Sequence, residues 1–233
     1  MRINIEKDLY IFIKKIIYPR YMLDMKEVSV GDCYSICGYR GVTYIGEHGK
    51  VHSCRFVEQR HLLEPFLTVN GTVEGLCANK ERLYILVNQP PYMVYVSDLE
   101  GTIVTRWQHS ETFTNLSSTI TVTGDRVILP DRSRRQLTIY TSEGSLVKHI
   151  ACEHLEEQGS VSSCTPEEGS VVVACSTPSV VFRVNIDTEE VIWSFNDANG
   201  FGGVTNFGRD YIITCPAMCK GFRASIFEAD SGW

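Results

Sequence analysis

"VILPDRSRRQLTIYTSEGSLVKHI", residues 127–150, decides the fold. It opens on an apolar run, Val127 to Leu129, and passes through the polar segment Asp131–Arg135. Gln136 and Thr138 then alternate with Leu137 and Ile139. A period of two is that of a half-buried β-strand, and a short unbroken apolar run suits a strand covered on both faces. "SEG" at 142–144 supplies the glycine of a tight hairpin turn, and "SLVKHI" (145–150) begins another strand. One stretch therefore predicts three consecutive antiparallel strands.

The same order recurs along the chain. Apolar cores stand at "RLYILV" (82–87), "DRVILP" (125–130), "SVVVAC" (170–175) and "DYIITC" (210–215). Alternating strands follow at 92–101, 136–144, 180–190 and 222–232, and Gly101 and Gly144 lie 43 positions apart. Short strands of small residues precede the cores, as in "SSTITVTG" (117–124), and "GVTYIGEHGKVHSCRF" (41–56) stands as a more degenerate first copy. Four short strands per unit of about 40–45 residues is the pattern of a β-propeller blade. The expected fold is all-β, with about five four-stranded blades at residues 28–72, 73–115, 116–159, 160–201 and an incomplete 202–233.

At residues 127–147 the chain resembles an NHL repeat: an apolar strand ending near Asp131, a polar loop, an Ile/Tyr strand and a turn glycine. Residues 83–104 are similar but lack the Asp, and "VVVACSTPSVVFRVNIDTEEVIW" (171–193) leans towards WD-repeat or quinoprotein-like blades. The resemblance implies a non-enzymatic role like that of the propellers in TRIM-NHL proteins, which recruit a protein partner or RNA beside a ubiquitin-ligase module. The chain carries no RING or B-box pattern, so ligase activity does not follow from it.

A fifth unit ending at "IFEADSGW" (226–233) leaves a sheet edge to satisfy, because an exposed strand edge invites association. Two readings answer this. The N-terminal segment 1–27 contributes "LYIFIKKIIY" (9–18) as a closing outer strand, or the chain is a fragment of a six- or seven-bladed ring.

Composition narrows the function. A formal net charge of −6 disfavours a general phosphate-backbone binder, since counterion release needs a basic surface. Nine cysteines, an odd number without a CxxC, fit buried free thiols and a cytoplasmic, reducing location. Glu6, Lys7, Asp8, Lys14 and Lys15 interrupt any secretory h-region, and no run approaches a membrane span.

Arg132, Arg134 and Arg135 form the densest basic cluster, in the connection between second and third strands. Arginine recognises carboxylates or phosphates through its planar fork, and loops on a rigid scaffold are where binding residues collect. Tyr92, His109, Phe113, Phe201 and Lys220 belong to the same expected rim. The leading expectation is a rim that binds a protein partner. RNA binding through Arg132, Arg134, Arg135 and Lys220 is the alternative.

A metal-dependent, lactonase-like hydrolase is a third reading, for which the inner strands offer only Glu74, Asn79 and Asn206. His48 and His52, Cys152 with His154, and Cys215 with Cys219 lack further ligands at zinc spacing. No G-x-S-x-G, H-E-x-x-H or P-loop occurs, so neither catalytic residues, nor a metal, nor a cofactor is expected.

Overall fold

The apolar runs become strands buried on both faces, and everything else is arranged around them. The computed structural model describes residues 33–57, 60–89, 91–109, 119–131, 134–152, 161–167, 169–176, 179–196, 203–207, 211–215 and 225–228. Among these, every regular element is a β-strand. The expected closing strand at 9–18 lies outside the described residues.

The first unit holds β1 (Ser35–Tyr39), β2 (Val42–Gly46), β3 (His48–Val57) and the start of β4 (Arg60–Asn79). The end of β4 continues into β5 (Arg82–Asn88), β6 (Met93–Asp98) and β7 (Ile103–Gln108). Then follow β8 (Thr121–Thr123), β9 (Arg126–Asp131), β10 (Gln136–Thr141) and β11 (Leu146–Ala151). The next four are β12 (Val161–Glu167), β13 (Ser170–Ser176), β14 (Ser179–Asn185) and β15 (Val191–Asn196). Last come β16 (Gly203–Phe207), β17 (Tyr211–Cys215) and β18 (Ser225–Glu228).

Neighbours in sequence are neighbours in each sheet, and all pairs are antiparallel. The expected boundary between the first two units, at residues 72 and 73, falls inside one continuous strand. β4 is a single strand that serves both sheets: Arg60 to Thr72 pairs with β3, and Thr72 to Asn79 pairs with β5. Gly71, at φ +124°, takes the bend, and a Cβ there would meet the Asn88 carbonyl oxygen at 2.7 Å.

The second strands β5 and β9 divide their side chains between two interfaces. In β5, Leu83, Ile85 and Val87 pack against Tyr44, Val51 and Val69 of the first unit. Tyr84 and Leu86 point the other way, to Val127, Leu129 and Tyr140. In β9, Ile128 faces Val171, Val173 and Phe182 of the fourth unit, together with Leu137, Ile139 and Ile150. Each such aliphatic side chain contributes about 1.5–3 kcal/mol on full burial. Five consecutive residues, Leu83 to Val87, are at most 4% exposed, which requires sheets on both sides. The inner strands touch in the order β1, β4, β8, β12, β16. Sheets stacked face to face about a line of inner strands make the chain a β-propeller, and the successive units its blades.

The turns between third and fourth strands repeat as well. The Asp98 carboxylate accepts from the amides of Glu100 and Thr102 at 3.1 and 2.7 Å. These bonds, that from Thr102 first, hold its carboxyl below the usual range. Thr141 Oγ1 takes the amide of Ser145 at 3.3 Å, and Asn185 Oδ1 those of Asp187 and Thr188. Each turn also leans on the preceding blade. Gly144 lies against Trp107, whose indole donates to the Ser142 carbonyl at 3.3 Å, and Lys148 donates to the Asp187 carbonyl at 3.3 Å.

Cys33, Cys37, Cys54, Cys77, Cys152 and Cys175 are free thiols. Burial pushes Cys152 up to about 12 and raises Cys175 also.

At Gly144, φ is +89° and a Cβ would stand 2.2 Å from Trp107 Cγ. Gly144→Ala should therefore lose about 2–4 kcal/mol by urea titration. Gly124→Ala, with φ +60° and nothing within 4 Å, should lose only about 1–2 kcal/mol. The thiols predict a pH dependence. Unfolded cysteine deprotonates near 9.0 whereas folded Cys152 keeps its proton to about 12, so its stabilisation is complete below the first value and is lost as pH rises towards the second. The unfolding free energy from urea titration should fall between about pH 9 and about pH 12, and fall less steeply in Cys152→Ala, by up to about 1.4 kcal/mol per pH unit.

Candidate binding rim

The connections between second and third strands lie at the same end of the blades as the crossings from one blade to the next. Backbone bonds fix this in three places. Val73 donates to the Glu47 carbonyl at 3.1 Å, His109 to Tyr92 at 2.9 Å and Cys152 to Arg135 at 2.8 Å. The second and third of these are equivalent positions in successive blades, so Arg135 stands where the preceding blade has Tyr92.

In the third blade, hydrogen bonds hold the two described ends of the rim loop, Asp131 and Arg134–Arg135. Asp131 ends β9 with no exposure, and its Oδ1 accepts the amide of Arg134 at 3.2 Å. Arg135 adopts a left-handed backbone, φ 52°, which its carbonyl bond to Cys152 helps to hold. Arg134 is exposed and Arg135 half-buried. These bonds hold the main chain from which the two guanidinium groups project, and a planar guanidinium fork suits a carboxylate or phosphate.

Two of the residues expected on the rim are not available to a partner. His109 is fully buried, shares a 2.6 Å hydrogen bond between its Nδ1 and the Tyr140 hydroxyl, and meets the Tyr140 ring edge-on at 5.6 Å. Tyr92 is 9% exposed and donates to Glu74 Oε2 at 3.4 Å. Both complete the core between second and third blades. The sequence places them at the correct end of their strands, but the adjoining blade covers them. Arg132, Phe113, Phe201 and Lys220 lie outside the described residues.

The first blade has a rim feature that the sequence reading passed over. Glu47, 6% exposed, receives Lys50 Nζ at 3.1 Å and His52 Nε2 at 3.6 Å on the same carboxylate oxygen. His48 Nδ1 bonds Thr72 Oγ1 at 2.9 Å. In the sequence the only hint is that Glu47, Lys50 and His52 fall within one short stretch, "EHGKVH" (47–52).

Two of the three channel residues of the hydrolase reading, Glu74 and Asn79, are engaged elsewhere. Glu74 accepts from Asn88 Nδ2 at 2.6 Å as well as from Tyr92, and Asn79 donates to the Gly124 carbonyl at 3.1 Å. Glu74 and Asn79 stand towards opposite ends of one inner strand, about 17 Å apart at the usual strand rise, too far to share an ion. Among the described residues no group of three or more His, Cys, Asp or Glu is placed to hold a metal ion. Among the same residues no helix is long and apolar enough to cross a membrane.

No protein-family model matches the chain, and no curated protein matches it significantly. Solved β-propellers do. The WD40 β-propeller domain of Doa1 is 15% identical, with a TM-score of 0.61 over 88% of this chain and 68% of that one. The Pan2 WD40 domain of Neurospora crassa is 13% identical, with a TM-score of 0.63 over 85% of this chain and 63% of that one. BamB from Moraxella catarrhalis is 12% identical, with a TM-score of 0.56 over 92% and 60%. At these identities the likeness is one of fold.

The loop geometry predicts a local effect. Asp131→Ala removes the acceptor for the Arg134 amide and should cost about 1–2 kcal/mol. Asp131→Asn keeps an acceptor oxygen and should cost less. Hydrogen exchange at the Arg134 amide should speed up in the alanine variant well beyond that at β9 amides.

Proposed function

We propose that this propeller is a non-enzymatic interaction module whose rim binds a protein partner, with Arg134 and Arg135 as its charged contacts. The observation that carries the reading is the third-blade loop, where Asp131 and the Cys152–Arg135 backbone bond fix two adjacent arginines at the rim. The implied partner surface is acidic, because paired guanidinium forks bind carboxylates in a bidentate manner. The Doa1 and Pan2 likenesses support this in kind, since both are WD40 propellers. The finer reading, an NHL-type propeller that acts as an adaptor in a ubiquitin-ligase context, rests on the 127–147 motif with Asp131 at the end of its second strand. The expected setting is the cytoplasm, in keeping with the free thiols.

The test compares the wild type with Arg134→Glu/Arg135→Glu in affinity capture followed by direct titration of each captured protein. The double variant should melt with the wild type and lose the partner at least tenfold in affinity. Equal retention by both would remove the arginines from the interface. Salt-sensitive binding of a single-stranded RNA oligonucleotide, lost in the same variant, would assign the loop to RNA instead.

A further inference from the structure

The end of the blades opposite the arginine loop carries a second repeated feature. Eight large hydrophobic side chains are exposed among the described residues, and six of them are three adjacent pairs: Ile103 and Val104, Leu146 and Val147, Val191 and Ile192. The pairs open β7, β11 and β15, the outer strands of three successive blades. Scattered exposed aliphatics need no explanation, but recurrence at equivalent positions does.

The backbone explains how two consecutive residues come to be exposed together. In a regular strand they would face opposite sides of the sheet. Ser97 pairs with Ile103 but Val96 with Thr105, so Val104 has no opposite residue. Tyr140 pairs with Leu146 and Ile139 with Lys148, passing over Val147. Val184 pairs with Val191 and Arg183 with Trp193, passing over Ile192. The same register irregularity stands at the same place in three blades, and bulges of this kind re-aim side chains and interrupt the ladder.

Beside each pair is an acidic turn. "SDLEGT" (97–102), "TSEGS" (141–145) and "NIDTEE" (185–190) contain six carboxylates and no basic residue. Glu100, Glu143, Asp187, Glu189 and Glu190 are exposed. Lys148, on β11, reaches Glu189 at 2.9 Å, and the exposed Arg106 stands further along β7. The turns remain acidic beyond that one ion pair.

We propose that the outer edges of the second, third and fourth blades form a docking stripe for a protein segment that combines apolar and cationic side chains. The apolar pairs supply burial, and the acidic turns select the partner's charge. A second copy presenting this stripe would bring carboxylates against carboxylates, and an anionic membrane surface would be repelled in the same way. The bulge disfavours simple addition of a partner strand, so contact is through side chains. The stripe is separate from the arginine rim and does not depend on it.

The probe is a synthetic peptide of alternating lysine and valine, with a glutamate–valine peptide as control, titrated against the intact chain by fluorescence anisotropy. The lysine peptide should bind, with affinity falling as salt rises, and the glutamate peptide should not. Val104→Thr/Val147→Thr/Ile192→Thr should weaken binding at least fivefold at every salt concentration. Glu100→Gln/Glu143→Gln/Glu190→Gln should weaken it and flatten the salt dependence. Both variants should melt with the wild type, and Arg134→Glu/Arg135→Glu should bind the peptide as the wild type does. Equal binding of both peptides, or unchanged affinity in the threonine and glutamine variants, would overturn the proposal. So would a dimer in sedimentation that the threonine variant abolishes, or binding to phosphatidylserine vesicles.

Discussion

The burial of the second strands on both faces is the constraint on which the rest of this structure depends. A strand such as Leu83–Val87 has apolar side chains pointing both ways, and water must be removed from each side. One sheet cannot do that for itself. The neighbouring blades do it for each other, so Leu83, Ile85 and Val87 serve one interface while Tyr84 and Leu86 serve the next. Stacking is therefore obligatory, as in other repeat architectures whose units cannot bury their hydrophobic faces alone.

That stacking dictates which parts of each blade are left for function. Where blades stack, the sheet faces are consumed by packing, which leaves the ends and the outer edges of those blades to meet solvent. At one end, backbone bonds between loop and crossing strand make a rim of ordered connections, of which the arginine loop is the most strongly charged described member. At the other end, the hairpin turns are pinned through Asp98, Thr141 and Asn185 and press on the preceding blade, as Gly144 does on Trp107. The arginine loop and the hairpin turns differ in charge because different stretches of sequence build them. A chain of net acidic charge thus presents a cationic loop at one end and carboxylate-rich turns at the other.

Much of the fold was legible beforehand because its signals are local. Continuous apolar runs, alternation and turn glycines each act within a few residues, and the third-blade stretch carries all three in order. The candidate site was less legible. Arg134 and Arg135 stand on the predicted loop, but Tyr92 and His109 are buried, because their exposure depends on Tyr140 and Glu74, which belong to other strands. Glu47 escaped notice for a related reason: its neighbours Lys50 and His52 converge on it only once β2 and β3 have folded back. The register shifts that expose Val104, Val147 and Ile192 have no signature in the hydrophobic pattern. A bulge is a property of a pair of strands, not of one.

The strand composition, the repeat of about 43 residues and the burial of the apolar runs follow directly from side-chain period and the cost of exposing apolar surface. Tertiary structure alone decided that β4 serves two blades and that His109 is a core residue while Arg134 faces solvent. It alone decided, too, that the outer strands turn paired aliphatics outward. Each of those outcomes is set by a contact between residues far apart in the chain, and such contacts exist only after the blades have stacked.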